Sequence, residues 1–289
     1  MNGKKAGIYI GVFLIIMGAA AFAMLGGGFL GAPKDEIAAE RASRTYDLKE
    51  HKSGLITFIL DDGKVPQYEK LIPLFEEYDM VANWSPATDL IGQDDEFVTW
   101  EAIDEAYKMG WEISSHSATH PDLRELPPSE VEAEMKRSKE ALERYAPVAF
   151  VYPYYLYDEA VVAQVRAHYQ LAFAGSKNPY DEGRNTGYEG IESAANINTR
   201  AYIQANRHTL RRVTLTGTDG NWMGGRDREK LYRMVDKTMA KDGWLVFTLH
   251  DADPYSMHRL RDLLDYIADQ EVQVGTSRHG IKKFFHDSS

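Results

Sequence analysis

The chain has 289 residues, 44% of them hydrophobic and 27% charged, with a formal net charge of -11 and no cysteine. Such a composition belongs to a globular protein rather than a disordered one, and an acidic chain with no dense basic run is a poor match for nucleic acid, whose binding rests on Lys and Arg neutralising phosphates. Without cysteine there is no disulfide framework and no thiolate site, so any metal must be held by His, Asp or Glu.

After Lys4 and Lys5, the stretch from Ala6 to Ala32 carries no charge and is rich in Ile, Leu, Phe, Ala and Gly. A helix of that length crosses a hydrocarbon core of about 30 Å. Residues 1–33 are therefore expected to form a signal-anchor transmembrane helix. The two lysines before it place the N-terminus in the cytoplasm and the rest of the chain outside by the positive-inside bias. Ala21-Phe22-Ala23 has the small-x-small form of a signal-peptide cleavage site, and cutting there would release a secreted protein, but apolar residues continue to Leu30. Residues 34–52 are charged, lack strand patterning and read as a polar linker to a catalytic domain over 53–286.

From Gly54 onward short apolar runs alternate with amphipathic segments. The spacing predicts strands over Leu55 to Leu60, Met80 to Trp84, Glu112 to Ser115, Ala149 to Tyr152, Leu171 to Ala174, Arg212 to Thr216, Trp244 to Leu249 and Val272 to Gly275. Helical patterns lie between many of them: Val65 to Tyr78 with Pro66 in its first turn, Trp100 to Met109, Ser129 to Tyr145, Glu159 to His168, Asp227 to Lys241 and His258 to Asp269. This alternation implies parallel strands with crossover helices. Eight strands favour a closed or nearly closed β/α barrel over an open doubly wound sheet.

The polar residues fall at the ends of those strands. Asp61-Asp62-Gly63 follows the first, Ser115-His116-Ser117-Ala118-Thr119-His120-Pro121 the third, Pro153-Tyr154 the fourth, and His250-Asp251 the strand Trp244 to Leu249. In a β/α barrel the C-terminal strand ends gather on one face, so these four clusters converge. His116 and His120, four apart, can point both imidazoles at one ion, and either Asp61 or Asp62 can complete a three-ligand set. Taken singly each motif has a plain reading: Asp-Asp-Gly is an ordinary turn, a His pair arises by chance, and His250 suits a strand-end histidine bonded to Asp251. Together, at successive strand ends, they describe a site. A divalent ion such as zinc with three protein ligands leaves a position for water and lowers its pKa toward about 7. The spare aspartate and His250 are then the natural base and acid for hydrolysis.

These residues resemble the polysaccharide deacetylase family, the group sharing the NodB homology domain and classed as carbohydrate esterase family 4. The resemblance rests on Leu60-Asp61-Asp62-Gly63, on His116 to Leu123, on Phe150-Val151-Tyr152-Pro153-Tyr154 and on Leu249-His250-Asp251, in the family's order. It implies a distorted (β/α) barrel, Asp61 as catalytic base, Asp62, His116 and His120 as metal ligands, His250 as general acid, and the backbone N–H of Tyr154 as an oxyanion donor. The implied substrate is an N-acetylated glycan.

The match has departures. Val151 stands where many members carry an arginine that orients the base, and Tyr155 replaces a glycine found in members with a similar Tyr-Pro-Tyr motif, narrowing the expected substrate groove. Arg212, in a strand expected between those carrying Tyr154 and His250, is a candidate partner for Asp61, although a surface salt bridge is its plainer reading. Trp222, in the Gly-rich stretch from Gly217 to Gly225 that includes Asp219, is a candidate sugar contact. Two further readings stand beside the deacetylase: an amidase for a small non-sugar amide, and a catalytically inactive glycan-binding surface protein. No protein partner is expected.

Overall fold

The computed structural model describes residues 53–175, 196–218, 220, 222 and 228–285. The expected anchor over residues 1–33, the linker over 34–52 and Asp219 lie outside the described residues. Among the described residues no helix is long and apolar enough to cross a membrane.

Strand β1 runs over Leu55–Asp62 and is buried along its whole length, as befits a parallel strand covered on both faces. A π turn at Gln67–Leu71 then leads into helix α1, Ile72–Glu77. One continuous helix is predicted here, and Pro73 explains the break: it has no N–H and its ring crowds the carbonyl four residues back, so the Ile72 N–H reaches five back, to Gln67. β2 (Asn83–Pro86), α2 (Trp100–Lys108) and β3 (Glu112–Ile113) follow. The Thr99 hydroxyl caps α2 by accepting from Ala102 N–H at 3.4 Å. Next come α3 (Pro128–Ala141), β4 (Ala149–Val151), α4 (Glu159–His168) and β5 (Leu171–Gly175).

The second half continues with α5 (Arg200–Ala205), β6 (Leu210–Thr214), α6 (Arg228–Ala240), β7 (Trp244–Leu249), α7 (Pro254–Ala268), β8 (Gln273–Val274) and α8 (Ser277–Phe285). The short α5 and the terminal α8 are not predicted from the pattern. α8 contains Gly280, a residue that ordinarily weakens a helix. Here a Cβ would collide with the Trp244 ring, so the glycine permits the helix to close on the barrel.

All strands are parallel, in the order β3-β2-β1-β7-β6-β5-β4. Ser115, two residues past β3, joins the ends of this sheet: its N–H donates to Ala149 at 3.1 Å and its carbonyl accepts from Val151 at 2.8 Å. β8 pairs with β1 only at Leu55 and Ile56. β7 occupies the other edge of β1 there, so β8 fills the edge that β2 takes from Ile59 onward. The barrel is thus distorted, with seven strands around its ring and the eighth wedged in at the N-terminal end of β1. At that end the Asp242 carboxylate accepts from Gly54 N–H at 2.8 Å, pairs with Lys283 at 2.8 Å and with Arg200 at 3.1 Å. Burial works to raise its pKa, but Lys283, the Gly54 N–H and Arg200 outweigh this and hold the carboxyl down at about 2.

Candidate active site

The C-terminal strand ends bring the sequence motifs together in two adjoining groups. In the first, Asp62 Oδ1 lies 3.6 Å from His116 Nε2 and 3.4 Å from His120 Nε2, and the two Nε2 atoms are 3.1 Å apart. His116 Nδ1 bonds the Val151 carbonyl at 2.7 Å; a carbonyl only accepts, so Nδ1 carries the hydrogen and Nε2 presents its lone pair. His120 is pushed down to about 4 by burial and then by His116, which leaves it neutral near pH 7. Asp62 stays well below the usual carboxylate range: burial opposes ionisation, but the neighbouring histidines, His116 foremost and then His250 and His120, prevail.

This set fits a divalent metal. Bonds of about 2.0–2.1 Å in tetrahedral array put ligand atoms about 3.3 Å apart, near the observed separations. Asp62, His116 and His120 are the residues that would hold the ion.

The backbone here is unusual. Asp62, Ser117, His120, Tyr154 and Tyr155 all have positive φ, five of the eight non-glycine residues that do so among those described. Such conformations are costly and persist where their surroundings hold them. Much of the holding falls to Glu134 of α3, a residue the motifs do not reveal. Its carboxylate accepts from the N–H groups of Ala118 and Thr119 at 2.9 and 2.8 Å and from the Thr119 hydroxyl at 3.0 Å. Arg137, 2.6 Å away, supplies its counter-charge.

In the second group Asp61 and Arg212 form an ion pair between side chains at most 1% exposed. The pair is buried, not at the surface. Arg212 also donates to the Tyr152 carbonyl at 3.1 Å and to the Thr248 hydroxyl at 3.4 Å, and its guanidinium lies 4.2 Å over the Tyr155 ring. Asp61 Oδ1 is buried without a hydrogen-bond partner among the described residues. His250 Nε2 stands 3.7 Å from Asp61 Oδ2, while its Nδ1 bonds the Thr216 carbonyl at 2.8 Å. The simple reading of His250 bonded to Asp251 does not hold: Asp251 bonds Ala252 N–H at 2.6 Å and faces Lys70 at 3.5 Å.

Gln67, fully buried in the π turn, ties the two strand ends together. Its amide nitrogen donates to the carbonyls of both Asp61 and His250, and its oxygen accepts from Trp84 Nε1 at 2.7 Å and Lys64 N–H at 3.2 Å. No sequence signal marks it beyond its place six residues after Asp61.

Around these groups, Pro153 is buried and opens the turn carrying Tyr154. Tyr154 is 53% exposed, with its ring 4.5 Å from that of His120. Tyr155 faces inward instead, its hydroxyl 2.8 Å from Thr214 Oγ1, and burial raises its pKa well above the ordinary tyrosine value. Trp222 pairs through its backbone with Thr216, but its ring packs on the main core with Arg259 5.9 Å from its centroid.

Solved structures share this fold. A family 4 carbohydrate esterase from Streptomyces lividans, in complex with acetate, superposes with a TM-score of 0.51 at 13% identity, covering 78% of this chain and 93% of that one. The Xyl-CE4 domain of a multidomain xylanase from the hindgut metagenome of Trinervitermes trinervoides gives 0.50 at 18% identity, over 80% and 91%. The chitin deacetylase of Colletotrichum lindemuthianum gives 0.50 at 17%, over 80% and 88%. A comparison with curated protein sequences finds no match. The fold is therefore that of the family 4 carbohydrate esterases. Residues 48–172 match the family model described as polysaccharide deacetylase. The matched segment contains Asp61, Asp62, His116, His120 and Tyr154. Arg212 and His250 lie beyond it and join the site through the fold.

Proposed function

We propose that this chain is a metal-dependent deacetylase that hydrolyses N-acetyl groups on an N-acetylglucosamine-containing glycan, with its catalytic domain outside the cytoplasm and an anchor at its N-terminus. The observation that carries the reading is the juxtaposition of three donor atoms at ligand spacing with a buried carboxylate, its arginine and a histidine. A divalent ion, zinc being the one this two-nitrogen, one-oxygen set suits, supplies a Lewis acid and makes water acidic enough to act near neutral pH.

The chain's own residues do the rest. Asp62, His116 and His120 are the ligands. Arg212 holds one oxygen of Asp61, leaving Oδ1, which has no partner of its own, to take the proton from water. His250, oriented by the Thr216 carbonyl, delivers a proton to the departing amine through Nε2. The Tyr154 N–H donates to the developing oxyanion, and the exposed Tyr154 ring lies against the sugar. Arg212 does from β6 what many family members do with an arginine at the Val151 position. Arg212 thus answers one of the two motives for reading the chain as an inactive glycan binder, the arginine missing at Val151; the other is Tyr155.

The test is acetate release from N-acetylated oligosaccharides by the metal-loaded protein. No acetate, under conditions where a known deacetylase releases it, would overturn the proposal. Protease protection of the catalytic domain in intact cells, lost on lysis with the protein on the cytoplasmic side, would overturn the location.

A further inference from the structure

At the opposite end of the barrel a cavity of about 630 Å³ opens between α4 and the segment joining α5 to β6. Gln170 and Thr209 in its wall directly precede β5 and β6, so it lies at the N-terminal strand ends. Arg166, Gln204, Asn206, Arg207 and His208 also line it, and among the described residues no Asp or Glu does. This is unexpected in a chain with 44 acidic residues against 33 basic ones. Neither Arg166 nor Arg207 makes an ion pair among the described residues. Arg207 is held in place by its guanidinium stacking 4.3 Å from the Phe285 ring centroid, and its Nε is buried without a hydrogen-bond partner among the described residues. A buried charged donor left unpartnered is costly, and points to a ligand or ion that satisfies it.

His208 adds an acceptor to these donors. It is buried and its Nε2 bonds the Tyr169 carbonyl at 3.1 Å, so Nε2 carries the hydrogen and Nδ1 is free to accept. Burial, helped by the charges of Arg166 and Arg207, lowers its pKa and favours the neutral ring.

We propose that this cavity binds a phosphate group. Arg166 and Arg207 come from separate elements. A planar carboxylate is saturated by one arginine fork, whereas a tetrahedral phosphate offers oxygens to two forks and to the amides of Gln204 and Asn206 at once. Two sources share this chemistry: free phosphate and the phosphate of a membrane lipid headgroup. The second is suggested by the path of the chain, since residues 1–52 lead into β1 at this same end of the barrel. The inference is independent of the deacetylase reading.

The experiment follows the melting temperature of the full-length protein during titration with inorganic phosphate, against chloride at equal ionic strength. A saturable rise is expected in the wild type, because a ligand that binds only the folded state stabilises it. Arg166→Gln and Arg207→Gln should each weaken the apparent affinity by about tenfold or more. Arg166 is exposed on α4, so its replacement leaves the fold intact even if the Arg207 variant does not fold. No saturable rise beyond the chloride control, or variants that titrate like the wild type, overturns the proposal. Repeating the titration in phosphatidylglycerol and phosphatidylcholine vesicles separates the sources: a response suppressed only in phosphatidylglycerol identifies the headgroup, and equal responses identify free phosphate.

Discussion

Asp61 and Arg212 lie 151 positions apart and meet in a buried ion pair. Burying two charges gains little over an apolar pair, but removing one partner is costly because the other stays uncompensated. Arg212→Met should therefore lower stability by about 3–5 kcal/mol and, by releasing Asp61, reduce kcat by roughly a hundredfold with little change in KM. Denaturant unfolding and steady-state kinetics check both, and an unaltered kcat would leave Arg212 without the positioning role. The neighbouring aspartates should divide their work. Asp62→Ala and His120→Ala should lose bound metal, whereas Asp61→Asn should keep it and lose turnover; equal metal loss in all three, by elemental analysis, would refute that division.

His120, a candidate ligand, also sets a pH dependence. His120 falls from an ordinary 6.5 to about 4 in the folded protein, so between these values the unfolded state binds more protons. The stability of the metal-free protein is then fully present above about pH 6.5 and is lost as pH falls toward 4. His120→Gln should flatten the pH dependence of the melting temperature in that window. Asp62, held below its ordinary 3.8, acts only at lower pH.

Among the elements, the loop from Ser115 to His120 and the π turn carry the site, and each is held by one buried polar side chain from outside the ligand set. Glu134→Gln keeps the shape but removes the charge and one acceptor, so metal affinity should fall about 10- to 100-fold, as for other residues that orient ligands; competition with a chelator measures it. How much of this could be read from the sequence follows from the reach of each interaction. Trp244 to Leu249 was bounded to the residue because it is a continuous apolar run, whereas Met80 to Trp84 was expected where the strand is Asn83–Pro86 and Arg212 to Thr216 where it is Leu210–Thr214, since polar residues interrupt both. The convergence of Asp62, His116 and His120 was legible because each follows a strand end. The break at Pro73 was local but lost beneath a strong helical period, and the reason for a glycine at position 280 in α8, the Trp244 ring, is 36 residues distant. Glu134 reads as one more charge on a polar helix. Gln67 is silent because its partners are backbone carbonyls, which no side-chain pattern reports. Arg212 was visible only by asking what replaces an arginine at Val151.

For the molecule as a whole, metal binding should appear as folding stability. The three candidate donor atoms come from β1 and from the loop after β3, so an ion bound to all three would join segments that separate on unfolding. A metal at a thousandfold its Kd adds about 4 kcal/mol. Zinc should raise the melting temperature, a chelator should reverse the rise, and His116→Ala should abolish it. A chain that melts at the same temperature with and without metal would argue against the triad as a binding site. The carboxylate of Asp242 has a different consequence. It holds Gly54, at the entry to the first strand, and Lys283, in the last helix, so the two ends of the fold are neighbours on the face away from the catalytic groups. A short linker between them, with the chain reopened at another surface loop, would give a circular permutant with the same strand order.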